Sequence, residues 1–281
     1  MSAGNEMPER GDQPLKKEIK HFTTMAREAW DEVNPRHQSY KKKSGHKKKF
    51  LRKNYHTLPA PLHEAFLDYG LEGRSVLHLC CNDGEELVSL KKLNAGRCVG
   101  VDISSSAIHS ARVLAAGLHL DATFEVADVY DLPDAAYGRF DYVLLTVGAL
   151  CWLPDLKAFF ATATSQLKDG GHLVIMEQHP FSAIVEDDMK VSETFGYFDK
   201  TPYEEAGDLD YLGKEAYEGK TCYTFHHTLA DIFSALLENK LQLSRFEEHP
   251  DDLSNLKREL ERAPQTFPLS YLLVATLNIP T

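Results

Sequence analysis

Five apolar runs separated by helical patterns constrain the fold of this chain more than any other feature. The runs lie at residues 75–80, 97–103, 122–129, 140–148 and 171–179. After the first run, Leu87, Leu90 and Leu93 recur at helical spacing, and similar stripes follow the second and fourth runs. Apolar strands that alternate with helices are typical of a parallel sheet covered on both faces. The sequence therefore predicts a doubly wound α/β fold with one core.

The segment before these runs predicts a separate extension. Residues 1–20 are polar and lack periodicity, which predicts a mobile N-terminal tail. Residues 21–70 predict a helical extension that contains a basic linker at 41–53. The α/β domain is then expected to occupy residues 71–281.

A long irregular insertion interrupts the alternation at about 181–224. It carries scattered acids and aromatic residues, and it is too long for an ordinary connection, so we interpret it as a lid. A capped amphipathic helix and two further strands, at 241–249 and 270–278, then complete the domain.

Charge and hydropathy restrict the class of protein. The formal net charge of −11 argues against general nucleic-acid binding. No apolar run reaches the roughly 18 residues of a membrane span, and the N-terminus lacks a secretory h-region. We therefore expect a cytoplasmic protein that does not bind membranes, either a monomer or a homodimer.

The five cysteines do not predict a metal or disulfide framework. They form an odd set without a C-x-x-C pair: Cys80, Cys81, Cys98, Cys151 and Cys222. If they lie on a strand, Cys80 and Cys81 point in opposite directions and cannot readily chelate one ion. We expect no metal site and interpret these cysteines as small buried side chains.

The stretch VLHLCCNDGEEL, at 76–87, ends the first strand in an Asn82–Gly84 turn. In a doubly wound sheet, ligands bind at the carboxyl ends of the strands. Asp102 ends the second strand, where a carboxylate can accept hydrogen bonds from both hydroxyls of a ribose. Asp128 ends the third strand and could accept from the exocyclic amine of adenine. Each aspartate could instead cap a helix, as could Ser104.

The turn favours one class of nucleoside cofactor over another. Dinucleotides require a G-x-G-x-x-G turn against their diphosphate, whereas this chain has Cys80, Asn82 and Gly84, followed by Glu85 and Glu86. Two carboxylates there would repel a diphosphate. S-adenosylmethionine carries a sulfonium cation and no phosphate, so the turn predicts a site for this cofactor, with S-adenosylhomocysteine as its product.

At these motifs the chain resembles the class I S-adenosylmethionine-dependent methyltransferases, from about Trp30 to the end. The likeness lies in four segments, namely VLHLCCNDGEEL, GVDIS, ADVYDLP and LKDGGHLVIMEQHPF. The chain also resembles a largely uncharacterised, small-molecule-type subgroup of the family at GALCWLPDL and EQHPF. The resemblance implies a seven-stranded sheet whose last strand is antiparallel. His78 stands where the family has an acid, and Cys80 and Asn82 replace two glycines. The cofactor-binding residues implied are Trp30, His78, Cys80, Asn82, Gly84, Asp102, Ile103, Asp128, Val129 and Thr146.

Methyl transfer from a sulfonium is an in-line displacement, so the protein must align the acceptor and exclude water. A small-molecule acceptor is expected above the fourth and fifth strands. His179 is the predicted base or orienting group, with Glu177 as a second catalytic candidate; a structural histidine at a strand end is the alternative. The predicted substrate-binding residues are Trp152, Phe181, Tyr197 and His226, although a core position is the simpler interpretation of Trp152.

Two other functions stay open at this point. The 41–53 segment has eight basic residues in thirteen and could hold phosphates for an RNA or ribosome methyltransferase, but only Phe50 is available for stacking. A solvated linker is the simpler interpretation. The altered glycine turn also permits a relative that binds the cofactor without catalysis. The sequence does not identify the acceptor or the atom that is methylated.

Overall fold

The structure, a computed structural model, describes residues 16–206, 210, 212, 217–254, 256–264 and 266–278. Its strands are β1 (Val76–Leu79), β2 (Cys98–Asp102), β3 (Thr123–Val126), β4 (Phe140–Thr146), β5 (Leu167–Gln178), β6 (Tyr203–Ala206), β7 (Thr221–Thr224), β8 (Leu241–His249) and β9 (Ser270–Leu277). Its α-helices are α1 (Lys16–Lys43), α2 (His46–Lys49), α3 (Ala60–Tyr69), α4 (Glu85–Lys92), α5 (Ser105–Gly117), α6 (Leu156–Ser165), α7 (Leu229–Glu238) and α8 (Arg258–Glu261). Short 3-10 helices lie at Val129–Asp131, Leu150–Trp152 and Pro180–Ile184.

One seven-stranded sheet has the order β3–β2–β1–β4–β5–β9–β8. Its strands pair in parallel from β3 to β5, and β9 pairs antiparallel with both of its neighbours. This confirms the predicted doubly wound sheet with an antiparallel last strand. The strand order reverses between β1 and β4, which is where such sheets bind their ligands.

The third strand is shorter than its apolar run. The run predicts a strand over 122–129, whereas β3 ends at Val126. The carboxylate of Asp128 accepts a hydrogen bond from the backbone N–H of Tyr130 and so caps a 3-10 helix that begins at Val129. A side-chain cap thus ends the strand early.

Alternate residues of β1 pack into opposite layers, as the pleat requires. Leu77 and Leu79 lie in the layer that contains α6 and α7. Val76 lies in the other layer, with residues of α3, α4 and α5. Both layers are buried, which explains why the strand runs are apolar on both sides.

The N-terminal extension is more helical than the sequence predicts. The predicted tail at 1–20 lies largely outside the described residues, and its last part, from Lys16, already belongs to α1. The basic segment is not simply a linker, because it forms the end of α1 and then α2. The side chain of Phe50 is only 1% exposed and packs in the core.

Helix α1 lies across the sheet's ligand-binding edge and is fixed at both sides. Its Asp31 accepts hydrogen bonds from the Ser104 hydroxyl at 2.7 Å and the Ser106 backbone N–H at 2.9 Å, at the start of α5. On the other side, Glu32 accepts from the Lys220 backbone N–H at 2.8 Å, just before β7. The β6–β7 ribbon of the predicted lid therefore lies beside α1. Among the described helices, none is long and apolar enough to cross a membrane.

Candidate active site

A cavity of about 600 Å³ lies at the carboxyl ends of β1, β2 and β4, beneath α1 and beside β6 and β7. This volume is in the range of small-molecule and cofactor sites. Eight of the ten predicted cofactor-binding residues line it: Trp30, Cys80, Asn82, Asp102, Ile103, Asp128, Val129 and Thr146. The turn after β1 and the end of β4 thus share one chamber.

The turn after β1 requires unusual backbone conformations. Cys80 and Asn82 have φ values of 53° and 48°, and Gly84 has a φ of 75°. A Cβ on Gly84 would lie 2.5 Å from the ring of Phe124 and 2.9 Å from the Cβ of Ala111. Gly84 is therefore required for packing of α4 against its neighbours, and it does not line the cavity. A contact of Gly84 with the cofactor stays a prediction.

Asp102 is oriented by backbone donors on both oxygens. One carboxylate oxygen accepts from the backbone N–H of Asn82 at 2.8 Å, and the other accepts from that of Ser104 at 2.8 Å. Burial raises the pKa of Asp102 to about 6, although these two hydrogen bonds oppose the rise. Each oxygen can still accept a further bond from a ligand hydroxyl.

Asp128 is linked to α1. Its carboxylate accepts from the hydroxyl of Thr23 at 2.6 Å and from the ammonium of Lys20 at 3.3 Å. The carboxylate lies on the cavity wall, so α1 and a bound ligand would share this acceptor.

A partly buried ion cluster joins α1 to the turn. Lys41 lies 2.7 Å from a carboxylate oxygen of Asp83 and 3.0 Å from one of Glu85. Burial alone would lower the pKa of Lys41, but the two carboxylates outweigh it and hold that pKa above its ordinary value. The Gln38 amide also donates to Asp83, at 2.7 Å. Lys41 is therefore shared between two carboxylates, and the His46 ring of the basic segment also lies 3.0 Å from Glu85.

Glu86 differs from the other acids of the turn. It lines the cavity, and no side-chain partner engages its carboxylate in the described part of the chain. Burial, followed by the charges of Glu85 and Asp83, raises its pKa to about 7. A positively charged ligand group beside Glu86 would stabilise its ionised carboxylate and so lower this pKa.

His78 acts on the cavity through Thr146. Its side chain is fully buried within β1 and does not line the cavity, so its contact with the cofactor stays a prediction. Its Nε2 is hydrogen-bonded to the hydroxyl of Thr146 at 2.9 Å. Burial lowers the pKa of His78 to about 3, so the imidazole is neutral and positions Thr146.

The two predicted catalytic residues lie outside the cavity lining. The carboxylate of Glu177 accepts backbone hydrogen bonds from Ala149 at 2.8 Å and from Leu150 at 3.1 Å, and also from Gly148 and Gln178. Burial raises the pKa of Glu177, although these hydrogen bonds oppose the rise. Glu177 therefore anchors the loop after β4. Gln178, between the two candidates, does line the cavity.

His179 occupies a structural position at the end of β5. Its Nδ1 accepts from the backbone N–H of Phe181 at 3.1 Å, and its Nε2 lies 2.9 Å from a carboxylate oxygen of Glu248. Burial lowers its pKa, although Glu248 opposes the shift. These contacts give no support to the prediction that His179 is the base.

Of the predicted substrate-binding residues, only Trp152 lines the cavity. Its ring meets that of Trp30 edge to face, with centroids 5.5 Å apart. Phe181 instead stacks on Phe267, and the rings of Tyr197 and His226 pack together at 5.6 Å. The aromatic side chains of the cavity lining are therefore those of the two tryptophans.

The polar lining residues that were not predicted as binding residues include Thr23, Lys41, Glu86 and Glu205. Thr23 could have been found from its helical spacing to Trp30, because positions seven apart share a helix face. The sequence placed Glu86 beside the turn without assigning it a contact, and Lys41 and Glu205 have no local signal, since charged residues on helices and insertions are usually solvated. Among the described residues, no group of three or more His, Cys, Asp or Glu side chains could hold a metal ion.

Residues 76–171 match the family model described as a methyltransferase domain. Ribosomal protein L11 methyltransferase from Ralstonia pickettii is 33% identical over 112 residues, which is 40% of this chain and 31% of that protein. The same-named protein from Neisseria gonorrhoeae is 34% identical over 103 residues, or 37% of this chain and 32% of that protein. The chain thus spans about a third of the length of these relatives.

Solved structures share the fold over most of the chain. An S-adenosylmethionine-dependent methyltransferase from Mesorhizobium loti has a TM-score of 0.56 at 22% identity, over 73% of this chain and 92% of its own. One from Clostridium acetobutylicum has a TM-score of 0.57 at 15% identity, over 86% and 100%. Magnesium protoporphyrin IX methyltransferase from Synechocystis, with S-adenosylhomocysteine bound, has a TM-score of 0.54 at 16% identity, over 90% and 98%.

Proposed function

We propose that this chain, which contains a class I S-adenosylmethionine-dependent methyltransferase domain, transfers a methyl group from that cofactor to a small molecule in the cavity under α1. The domain resemblance is confirmed by the match over 76–171 and by the shared fold. One observation carries the proposal: Asp102 and Asp128 line the same cavity as Thr146, Gly148 and Trp152. A nucleoside-bound donor and an acceptor would therefore meet in one chamber.

The residues of the cavity fit S-adenosylmethionine better than a phosphate-bearing cofactor. Asp102 would accept hydrogen bonds from the ribose hydroxyls, and Asp128 would accept from the adenine amine. Glu86 would bind the ammonium of the methionine part, in place of the family acid that His78 replaces. Lys41 is the cation of the described lining and is already paired with Asp83 and Glu85, so no described lysine or arginine of the cavity is left to bind a diphosphate.

When bound, the sulfonium supplies an electrophilic methyl group, and the protein's part is alignment and exclusion of water. The loop after β4, anchored by Glu177, and the Trp30–Trp152 pair would form the walls on the acceptor side. Helix α1 would cover the chamber, because it is fixed to both α5 and the segment before β7. The enclosure favours a small-molecule acceptor.

Calorimetric titration with S-adenosylhomocysteine tests the cofactor site first. A screen of small molecules with methyl-labelled S-adenosylmethionine, read by mass spectrometry, then tests turnover. Labelled product from at least one compound is expected. Cofactor binding without transfer to any small molecule would favour the non-catalytic alternative.

A protein acceptor is a second candidate, favoured by the relatives that are named as ribosomal protein L11 methyltransferases. The match covers about a third of those proteins, and α1 restricts access to the chamber here. An RNA acceptor has less support, because Phe50, the stacking residue of the basic segment, is buried. Incubation of the labelled cofactor with purified ribosomes would separate these candidates, since label in protein or RNA would contradict a small-molecule acceptor.

A further inference from the structure

Glu205 is a carboxylate of the cavity wall that the proposed cofactor contacts do not use. It lies on β6, in register with Cys222 of β7, and Tyr203 is in register with Thr224. Residues directly opposite in antiparallel strands share a face, so Glu205 and Thr224 lie on the same face. Both line the cavity. Glu204, the preceding residue, is on the other face, where it accepts a hydrogen bond from the hydroxyl of Tyr223 at 2.9 Å.

The carboxylate of Glu205 lacks a cationic partner within the part of the chain that the structure describes. Among the described residues of the cavity lining, Lys41 is the one cationic side chain, and it pairs with Asp83 and Glu85. Burial raises the pKa of Glu205, which means that its negative charge is poorly compensated. A bound cation would compensate the negative charge of Glu205.

The surroundings of Glu205 belong to the acceptor side of the chamber. Burial, followed by the charge of Glu177 and then by that of Glu205, raises the pKa of the Cys151 thiol. The backbone N–H of Phe225 donates to the carbonyl of Cys151 at 2.8 Å, which ties the Leu150–Trp152 helix to the end of β7. This helix carries Trp152, and the face of an indole attracts cations.

We propose that the methyl acceptor is a small organic molecule that carries an ammonium group, and that Glu205 binds this group. The methyl group passes from the sulfonium to a different acceptor atom that has a free lone pair, because a protonated nitrogen has none, and the thioether leaves as S-adenosylhomocysteine. The proposal rests on the proposed methyltransferase function and names its substrate class. An unpaired carboxylate and two tryptophans in one chamber are complementary to an ammonium group on an apolar body. The same lining would repel a carboxylate or phosphate acceptor.

A two-part binding experiment tests this inference separately from the function. Calorimetry with S-adenosylhomocysteine is done first on the wild type, Glu205→Gln, Glu205→Asp and Glu204→Gln. Equal affinity is expected for all four, because Glu205 is assigned to the acceptor side. If the wild type does not bind, the proposed function fails. Binding by Glu205→Gln also shows that this variant is folded.

The second part uses protein saturated with S-adenosylhomocysteine and three matched probe sets. These are phenethylamine, 2-phenylethanol and phenylacetate; tryptamine, tryptophol and indole-3-acetate; and 1,4-diaminobutane, 1,4-butanediol and succinate. At least one amine should bind about tenfold or more tightly than its alcohol and carboxylate, as expected for a charge-assisted hydrogen bond. Glu205→Gln should abolish this preference, whereas Glu205→Asp and the matched control Glu204→Gln should keep it.

Three results would overturn the inference while leaving cofactor binding intact. The first is that no amine is preferred over its uncharged analogue. The second is that a carboxylate binds at least as tightly as the amine of its set. The third is that Glu205→Gln retains the amine preference of the wild type.

Discussion

Lys41, in the last turn of α1, forms a 2.7 Å ion pair with Asp83 in the turn after β1. The side chains are only 16% and 10% exposed, so the pair is largely shielded from water. It joins the covering helix to the turn that begins the proposed cofactor site. The basic segment is therefore in part a structural element of the cavity.

Replacing Lys41 by Ala should destabilise the protein, because Asp83 and Glu85 would both lose their cation. Removing one partner of a buried pair leaves an uncompensated charge, and we expect a loss of about 3 kcal/mol in the free energy of unfolding. Urea denaturation at pH 7 measures it. The control is Lys42→Ala, whose side chain is exposed and should have little effect. Equal stabilities of the two variants would show that the pair contributes nothing.

Glu86 should make stability depend on pH in the direction opposite to a paired acid. Its pKa in the folded state is about 7 against an ordinary value of 4.5, so the folded state binds more protons between these values. Stability from this group therefore decreases as pH rises from 4.5 to 7. Glu86→Gln should raise the free energy of unfolding by about 1–3 kcal/mol at pH 8 and by little at pH 4.5.

Urea denaturation at both pH values, with exposed Glu64→Gln as the control, measures this effect. Glu86→Gln should also weaken binding of S-adenosylhomocysteine, since the proposed ammonium contact is lost. If Glu86→Gln raises the free energy of unfolding but does not weaken binding of S-adenosylhomocysteine, the Glu86 charge destabilises the fold but does not contact the cofactor.

Glu177 should contribute to stability through the loop after β4. In Glu177→Gln, an amide NH₂ would face backbone N–H donors that the carboxylate now satisfies. The expected loss is about 2–3 kcal/mol, as for hydrogen bonds to a charged group. Thermal and urea denaturation, with exposed Glu193→Gln as the control, would measure it. Unchanged stability together with lost turnover would instead restore Glu177 as a catalytic residue.

Binding of S-adenosylhomocysteine should weaken in acid because of Asp102. Only the ionised carboxylate can accept bonds from two ribose hydroxyls on both oxygens, and the pKa of Asp102 without ligand is about 6. Affinity should therefore fall as pH decreases below about 6. Asp102→Asn should lack this part of the pH dependence. A wild-type affinity that is constant from pH 7 to pH 5 would contradict the assignment.

The sequence predicted the sheet and the positions of Asp102 and Asp128, because strand ends in a doubly wound fold meet at one edge. It did not predict the orientation of residues at the end of β5. Successive strand residues point to opposite faces, and Gln178 lines the cavity whereas Glu177 and His179 do not.

The sequence also did not predict which segments that are far apart in the chain contact each other. Lys41 and Asp83 are far apart in the chain, and a lysine in a basic run is ordinarily solvated. The side of the β6–β7 ribbon on which Glu205 lies depends on strand register, which the irregular pattern of 181–224 does not specify.

Calorimetric titration of S-adenosylhomocysteine into the wild type, Asp102→Ala and the exposed control Asp121→Ala tests the central claim most directly. The wild type and Asp121→Ala should bind equally. Asp102→Ala should lose about 1.5–3 kcal/mol of binding free energy, because it lacks the charge-assisted hydrogen bonds to the ribose. Absence of binding by the wild type, or equal affinity of Asp102→Ala, would contradict the claim that the turn after β1 and the acid that ends β2 hold the cofactor.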